Sequence, residues 1–195
     1  MTTAIIDRIF DLFDRFGSEG YGENATQLQH ALQVAELARR EGCTPALVAA
    51  SLLHDIGQFI DDAGHAAETL HIDARHEVSG AKFLETHFPP EVCEPVRLHV
   101  AAKRYLCAVD GAYLDRLSPA STLSLKYQGG PMNGAEIRAF EAERFHADAV
   151  TLRRFDDIGK RPDWHPPGLT AYRPLLESLL LPPRHQAGGS ASIST

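Results

Sequence analysis

Four histidines stand at nearly even intervals along this chain: His30, His54, His76 and His99, separated by 24, 22 and 23 residues. Each interval is long enough for one helix and its connection, so antiparallel neighbours could bring all four imidazoles to one bundle core. The surrounding sequence has the periodicity for this. In residues 4–16, Ile5, Ile6, Ile9, Phe10, Leu12, Phe13 and Phe16 recur at three- and four-residue steps, the apolar face of a helix. "GSEGYGE" breaks that helix with three glycines. Asn24 with Gln27 resembles a capping box opening the next helix, which Gly42 closes. Thr44-Pro45 supplies an N-cap and a proline at the first helical position, starting a helix that carries "SLLHDIGQFI" one or two turns from its end. Helices are expected over roughly 76–87 and 90–106, from Ser118-Pro119, once or twice between 136 and 159, and over 169–181. No segment reads as a strand. The expected fold is all-α, one helical domain over residues 1–182, with 183–195 as a disordered tail.

A formal charge of −7 argues against nucleic acid or an anionic membrane as the main partner, and implies that an anionic substrate would need a local cluster of Lys or Arg. The three cysteines, Cys43, Cys93 and Cys107, form no CxxC pair and suggest free thiols in a reducing compartment. The N-terminal segment carries Asp7, Arg8, Asp11, Asp14 and Arg15 among its apolar residues, unlike a signal peptide. No run of 18 apolar residues is present. The expectation is a cytoplasmic protein acting on a small molecule, with no membrane or nucleic-acid partner and no inferable protein partner.

Ten histidines are many for 195 residues. His65, His71, His87, His146, His165 and His185 fall in connections, near helix ends or in the tail, where a solvated role is expected. The other four sit in helical segments. Adjacent His54 and Asp55 project about 100° apart on a helix and so suit one metal, or a pair, over a helix end. Together with a late aspartate, Asp156 or Asp157 in "AVTLRRFDDIGK", they offer a mixed nitrogen and oxygen ligand set. Such a set suits iron or manganese better than a thiolate-bound zinc, and a carboxylate among them could bridge two ions.

The pattern His30 … His54-Asp55 … Asp156 resembles the HD-domain superfamily, a helical-bundle fold whose members are mostly metal-dependent phosphohydrolases. Histidines matching His76 and His99 mark its binuclear branch, which holds phosphodiesterases and mixed-valent di-iron oxygenases. The Gly-Tyr-Pro signature of the phosphodiesterases is missing. "YGENATQLQHALQVAELA", "SLLHDIGQF", "HVAAKRYLCAVDGAYLDRLSPAS", "SLKYQGGPMN" and "AVTLRRFDDIGK" instead resemble the 2-amino-1-hydroxyethylphosphonate dioxygenases and their sister 1-hydroxy-2-(trimethylammonio)ethylphosphonate dioxygenases. The resemblance runs from about residue 20 to 165. It implies His30, His54, Asp55, His76, His99 and Asp156 as ligands of two iron ions, an Fe(II)/Fe(III) pair, with O2 as co-substrate and oxidative C–P bond cleavage as the reaction. "FDDIGKRPD" is also similar to a stretch of the distantly related myo-inositol oxygenase, which aligns Asp156 rather than Asp157. The competing class is an HD phosphohydrolase, because a di-metal site can also activate water.

The resemblance further maps substrate contacts onto Lys103, Ser121, Ser124, Gln128 and Arg153. Lys103 lies one turn after His99 and Arg153 three residues before Asp156, so both can face the ligands on their own helices. Tyr21 and Glu23 match a tyrosine and a glutamate that act as a lid in the aminohydroxyphosphonate enzymes, and flanking Gly20 and Gly22 give the segment backbone freedom. Those enzymes carry a histidine after His-Asp-Ile-Gly. Here Gln58 stands in that place, which favours the trimethylammonium substrate, with glycine betaine and phosphate as products, over the primary amine, which would give glycine. A quaternary ammonium prefers aromatic faces, for which Phe59, Tyr105, Tyr113, Tyr127 and Trp164 are the candidates. Arg104, Lys126 and Arg154 read as surface charges.

Overall fold

The computed structural model describes residues 4–21, 25–60, 73 and 75–182. Glu23, expected as a lid residue, the histidines His65, His71 and His185, and the tail expected over 183–195 lie outside the described residues. Among those described, nine α-helices carry the fold. The amphipathic α1 (Ala4–Phe16) buries Ile5, Ile6, Ile9, Leu12 and Phe13, the stripe read from the sequence. After it, β1 (Gly20–Tyr21) pairs antiparallel with β2 (Ala25–Thr26), a short pairing where no strand was expected. That pairing keeps the chain extended through Thr26, so α2 (Gln27–Arg40) starts later than the Asn24 cap would have it. Thr26 Oγ1 accepts from Gln29 N at 3.2 Å while the Gln29 side chain returns to Thr26 N. The capping box is therefore Thr26 with Gln29.

α3 (Pro45–Leu53) has the expected Thr44 cap, whose Oγ1 accepts from Leu47 N. It ends immediately before His54, closer to the pair than expected, and Asp55 leads into a 3-10 turn over Ile56–Phe59. Gly57 is what this turn needs. A Cβ there would stand 1.9 Å from the His76 carbonyl oxygen, so only glycine lets the turn lie against α4 (His76–Leu84). α5 (Pro90–Val109) is the longest helix and packs against α3, α4 and α8 (His146–Ile158). α6 (Pro119–Tyr127), capped by Ser118, and α7 (Gly134–Glu141) cover its C-terminal half. The last expected helix is divided into a 3-10 turn (Leu169–Tyr172) and α9 (Arg173–Ser178), because Pro174 lacks the N–H that would continue one helix across the junction.

The main core joins α1, α2, α3, α4, the first half of α5, α8 and α9 through residues such as Ile6, Val34, Leu52, Leu84, Val96, Leu152 and Leu176. Two smaller clusters, around Leu98 and Ala102 and around Leu106 and Leu125, seat α7 and α6 on α5. The polar groups described next lie where α2, α3, α4, α5 and α8 converge. Among the described residues no helix is long and apolar enough to cross a membrane. All three cysteines are free thiols.

Candidate metal centre and anion pocket

His30 comes from α2, His54 from the end of α3, Asp55 from the turn behind it, His76 from the start of α4, His99 from α5 and Asp156 from α8. All six meet, and five are buried; His76 is half-buried. Backbone carbonyls aim three of the imidazoles. His30 Nδ1 faces Gly159 O at 2.7 Å, His54 Nδ1 faces Ser51 O at 2.9 Å and His99 Nδ1 faces Val96 O at 2.7 Å. A carbonyl can only accept, so the proton sits on each Nδ1 and each Nε2 points inward as a lone pair, the tautomer a metal ligand requires. Gly159 contributes by its size: a Cβ there would be 2.6 Å from Val34 Cγ2, so glycine lets its carbonyl come down on His30.

The inward nitrogens form two pairs, His30 with His54 and His76 with His99, each with Nε2 atoms 3.2 Å apart. Asp55 stands between the pairs and divides its oxygens. Oδ2 lies 3.4 Å from His54 Nε2 and 3.9 Å from His30 Nε2. Oδ1 lies 3.1 Å from His76 Nε2 and 3.6 Å from His99 Nε2. Asp156 Oδ1 approaches His30 Nε2 at 3.4 Å, adding a second carboxylate on that side only. Asp55 Oδ2 and Asp156 Oδ1 are buried and accept no hydrogen bond within the described residues. Orphaned carboxylate oxygens facing paired imidazole lone pairs are costly unless a cation lies between them. His30, His54 and Asp55, and separately Asp55, His76 and His99, are each close enough to hold one ion. The donor set thus fits a metal, and the shared Asp55 fits a bridge between two.

Where no cation balances them, the carboxylates draw a second proton onto His54 Nε2, the charge that a metal ion would replace. Burial works against a charge on His54, yet the Asp55 carboxylate and then Asp156 outweigh it and raise its pKa to about 9. His99 is pushed down to about 3 by burial and by His76. Against the cost of burial, their cationic neighbours hold Asp55 and Asp156 well below the usual carboxylate range: His54 and His76 for Asp55, Arg153 and the histidines for Asp156. Both carboxylates are therefore ionised at neutral pH.

Beside this centre, α5, α6 and the end of α8 bring together a cluster of cationic and hydroxyl side chains. Lys103 is 3% exposed and donates to Ser124 Oγ at 2.8 Å. Burial, and then the Arg153 charge, lower its pKa to about 7. Lys160 Nζ donates to Ser121 Oγ at 3.3 Å and lies 5.6 Å from the centre of the Tyr21 ring. Tyr21 in turn stacks on His30, centroids 3.9 Å apart and planes 12° from parallel. Gln128 caps α6, and its Oε1 is buried without a donor among the described residues. Arg153, 4% exposed, donates from Nη1 to Asp156 Oδ2 at 2.6 Å and from Nη2 to Asp157 Oδ1. Gln58 accepts from Gln27 Nε2 at 2.9 Å.

Of the two late aspartates, Asp156 is the one beside the imidazoles, while Asp157 turns to Arg153 and Tyr113. Other sequence expectations change here. Arg104 is no free surface charge: it donates to Gly130 O and Glu136, holding the "QGGPMN" turn against α5. The candidate aromatic wall is dispersed. Phe59 packs with Phe13 and Phe16 in the core, Trp164 lies under Arg40 and Arg161, and Tyr105 packs on Phe140 and donates to Glu141. Lys160 was not among the expected contacts, although its place four residues after Asp156 was the signal that it shares the site. Gln27 gave no signal at all, because its partner Gln58 is 31 residues away.

The HD-domain profile matches residues 28–148, the stretch that supplies five of the six converging residues, all but Asp156. The chain is 44% identical to a hydroxymethylphosphonate dioxygenase of Gimesia maris over 176 residues, 90% of this chain and 88% of that protein. It is 40% identical to a glycine-betaine-forming [1-hydroxy-2-(trimethylamino)ethyl]phosphonate dioxygenase of Leisingera caerulea over 90% of each chain. An uncharacterized protein, L432, of Acanthamoeba polyphaga mimivirus is 32% identical over 80% of this chain and 72% of its own.

Proposed function

The chain belongs to the HD-domain family, and from that premise we propose that it is an O2-dependent di-iron oxygenase that cleaves the C–P bond of a 1-hydroxyphosphonate. The substrate we assign is [1-hydroxy-2-(trimethylammonio)ethyl]phosphonate, giving glycine betaine and phosphate. The observation that carries the reading is the division of Asp55: one oxygen faces each histidine pair, at 3.1–3.9 Å. In this reading His30, His54, Asp55 and Asp156 hold one iron and Asp55, His76 and His99 the other. The pair, when bound, supplies the redox change that turning over O2 requires. Similarity to two phosphonate dioxygenases along about 90% of the chain favours that use of the centre over the water activation of a phosphohydrolase.

The protein's own groups then bind and orient. Lys103 and Lys160, with the hydroxyls of Ser121 and Ser124 and the amide of Gln128, receive the phosphonate oxygens, and protonated Lys103 gives the buried anion a charge-assisted partner. With the phosphonate fixed there, the C1 hydroxyl is directed at the His76 and His99 side, where fewer protein ligands stand. Tyr21, stacked on His30, covers the opposite side and excludes water. The overall change balances with O2 alone: the C–H and C–P bonds at C1 are lost, a carboxylate forms, and phosphate leaves.

A second substrate is favoured by a specific observation. Phe59, Tyr105 and Trp164 are engaged elsewhere and build no aromatic enclosure for a trimethylammonium group. Hydroxymethylphosphonate, the substrate in the name of the Gimesia maris relative, needs none. The test is phosphate release and O2 consumption by iron-loaded protein on three substrates side by side: the trimethylammonium, the primary amine and hydroxymethylphosphonate. The proposal expects one phosphate per O2 and the highest kcat/KM on the first. A preference for hydroxymethylphosphonate selects the second substrate, and phosphate release that continues without O2 overturns the oxygenase reading.

A further inference from the structure

Arg153 is bound more extensively than a substrate-binding guanidinium needs to be. Its Nη1 donates to Asp156 Oδ2 at 2.6 Å, its Nη2 donates to Asp157 Oδ1, and its Nε donates to the Tyr113 hydroxyl at 3.1 Å. The Tyr113 hydroxyl donates in turn to Asp157 Oδ2 at 2.5 Å, closing a ring of three side chains. Tyr113 is 4% exposed and packs with Leu106, Cys107 and Leu125, so the ring is anchored in the cluster between α5 and α6. The planar guanidinium is thereby fixed in rotation before it reaches Asp156. Because Arg153 occupies Oδ2, Asp156 can present only Oδ1 to His30, and that oxygen is the orphaned one.

We propose that Asp157 and Tyr113 are positioning residues for Asp156: acting through Arg153, they hold its free oxygen on the His30–His54 side of the centre. This rests on the reading that Asp156 is a metal ligand. The ring leaves the Asp55–His76–His99 side untouched, so the two metal positions should respond differently to its loss. Partners of this kind, removed from a ligand's far side, change metal affinity by about 10- to 100-fold.

The experiment is anaerobic titration of the full chain with Co(II), read by competition with a chromogenic chelator and by the visible spectrum of the bound ion. Asp157→Asn should weaken one of two binding events by about 10- to 100-fold and shift that ion's spectrum, leaving the other event as in the parent protein. Tyr113→Phe, which removes only a hydroxyl and keeps the packing, should weaken the same event several-fold; it carries the test should Asp157→Asn fail to fold. In an Asp156→Ala background, Asp157→Asn should cost nothing further, since its effect passes through Asp156. Folded Asp157→Asn and Tyr113→Phe proteins that bind both ions with parent affinity and spectrum would overturn the proposal. If Asp156→Ala alone also leaves both events unchanged, the ligand assignment itself has failed, a different and distinguishable result.

Discussion

Lys103 is an ammonium buried to 3% exposure, and its pKa near 7 records what burial and the neighbouring Arg153 charge cost it. In the unfolded chain the same group titrates at its ordinary value of 10.5. Between those values the unfolded chain holds a proton that the folded protein has shed, so unfolding takes up a proton and stability rises with pH across the window. Below about 7 both states are charged and the penalty is fully present. Lys103→Met should therefore raise the melting temperature of metal-free protein at pH 6–7 and remove part of the upward slope between pH 7 and 10. Melting curves of the two proteins in matched buffers measure this, and the difference cancels the opposing titration of His54. Equal slopes would mean that Lys103 reaches solvent. Gly57 makes a steric case at the same scale. Gly57→Ala sets a Cβ 1.9 Å from His76 O and 2.7 Å from Gly80 N, both backbone atoms that cannot swing aside. Gly80→Ala meets its nearest atom only at 3.1 Å. In urea unfolding, Gly57→Ala should cost at least about 2 kcal/mol and clearly more than Gly80→Ala. The reverse order would show that the turn over Ile56–Phe59 is not pinned to α4.

α2 carries one charge that anchors its C-terminal end. Glu36, 1% exposed, accepts from Arg39 Nε and Nη2 at 2.7 Å each and from Arg40 Nε at 2.8 Å, and the Tyr172 hydroxyl reaches it at 3.5 Å. The Arg39 hydrogen bond first, and then Arg40, lower its pKa from 4.5 to about 2, against the cost of burial. A depressed carboxylate stabilises above its unfolded pKa, so this contribution is complete at neutral pH and is lost as pH falls from 4.5 through 2. Glu36→Gln should lower stability at pH 7 and flatten the acid limb over that interval. Urea midpoints at several pH values measure it, and an unaltered acid limb would count against the cage. Elements such as α2 were legible where local chemistry decides them: the α1 stripe, the Thr44-Pro45 start and the Gly42 close all stand where periodicity and capping put them. The misses lie where a distant partner decides. Thr26 caps α2 because β1 holds β2 extended, and α3 stops at Leu53 because Gly57 must meet α4, neither of which a local pattern contains.

Across the whole molecule the histidine spacing was the informative quantity, since one imidazole per helix is what a centre inside a bundle demands. The spacing could not reveal the Gly159 carbonyl that aims His30, nor the ties of Tyr113 to Arg153 and Asp157 behind Asp156, because these join residues 40 or more positions apart with no periodic mark. The same convergence makes the centre a cross-link. α2, α3, α4, α5 and α8 each bring a proposed ligand there, and α1, α6, α7 and α9 pack on that frame. Unfolding any one of the five elements must then release bound metal, so binding free energy becomes folding free energy for the entire chain. At a thousandfold excess over Kd one ion adds about 4 kcal/mol, roughly 10 °C in melting temperature for a chain of this size. Calorimetry of metal-loaded and chelator-treated protein should show a drop of that order or larger, with one transition in each case. Variants apportion it. Asp156→Ala and His99→Ala should each lose part of the metal-induced shift, since each disturbs one position. Asp55→Ala should lose nearly all of it, because its two oxygens face opposite histidine pairs. A full metal-induced shift retained in folded Asp55→Ala would mean that the carboxylate joins no ions, and the centre would have to be read as two independent sites.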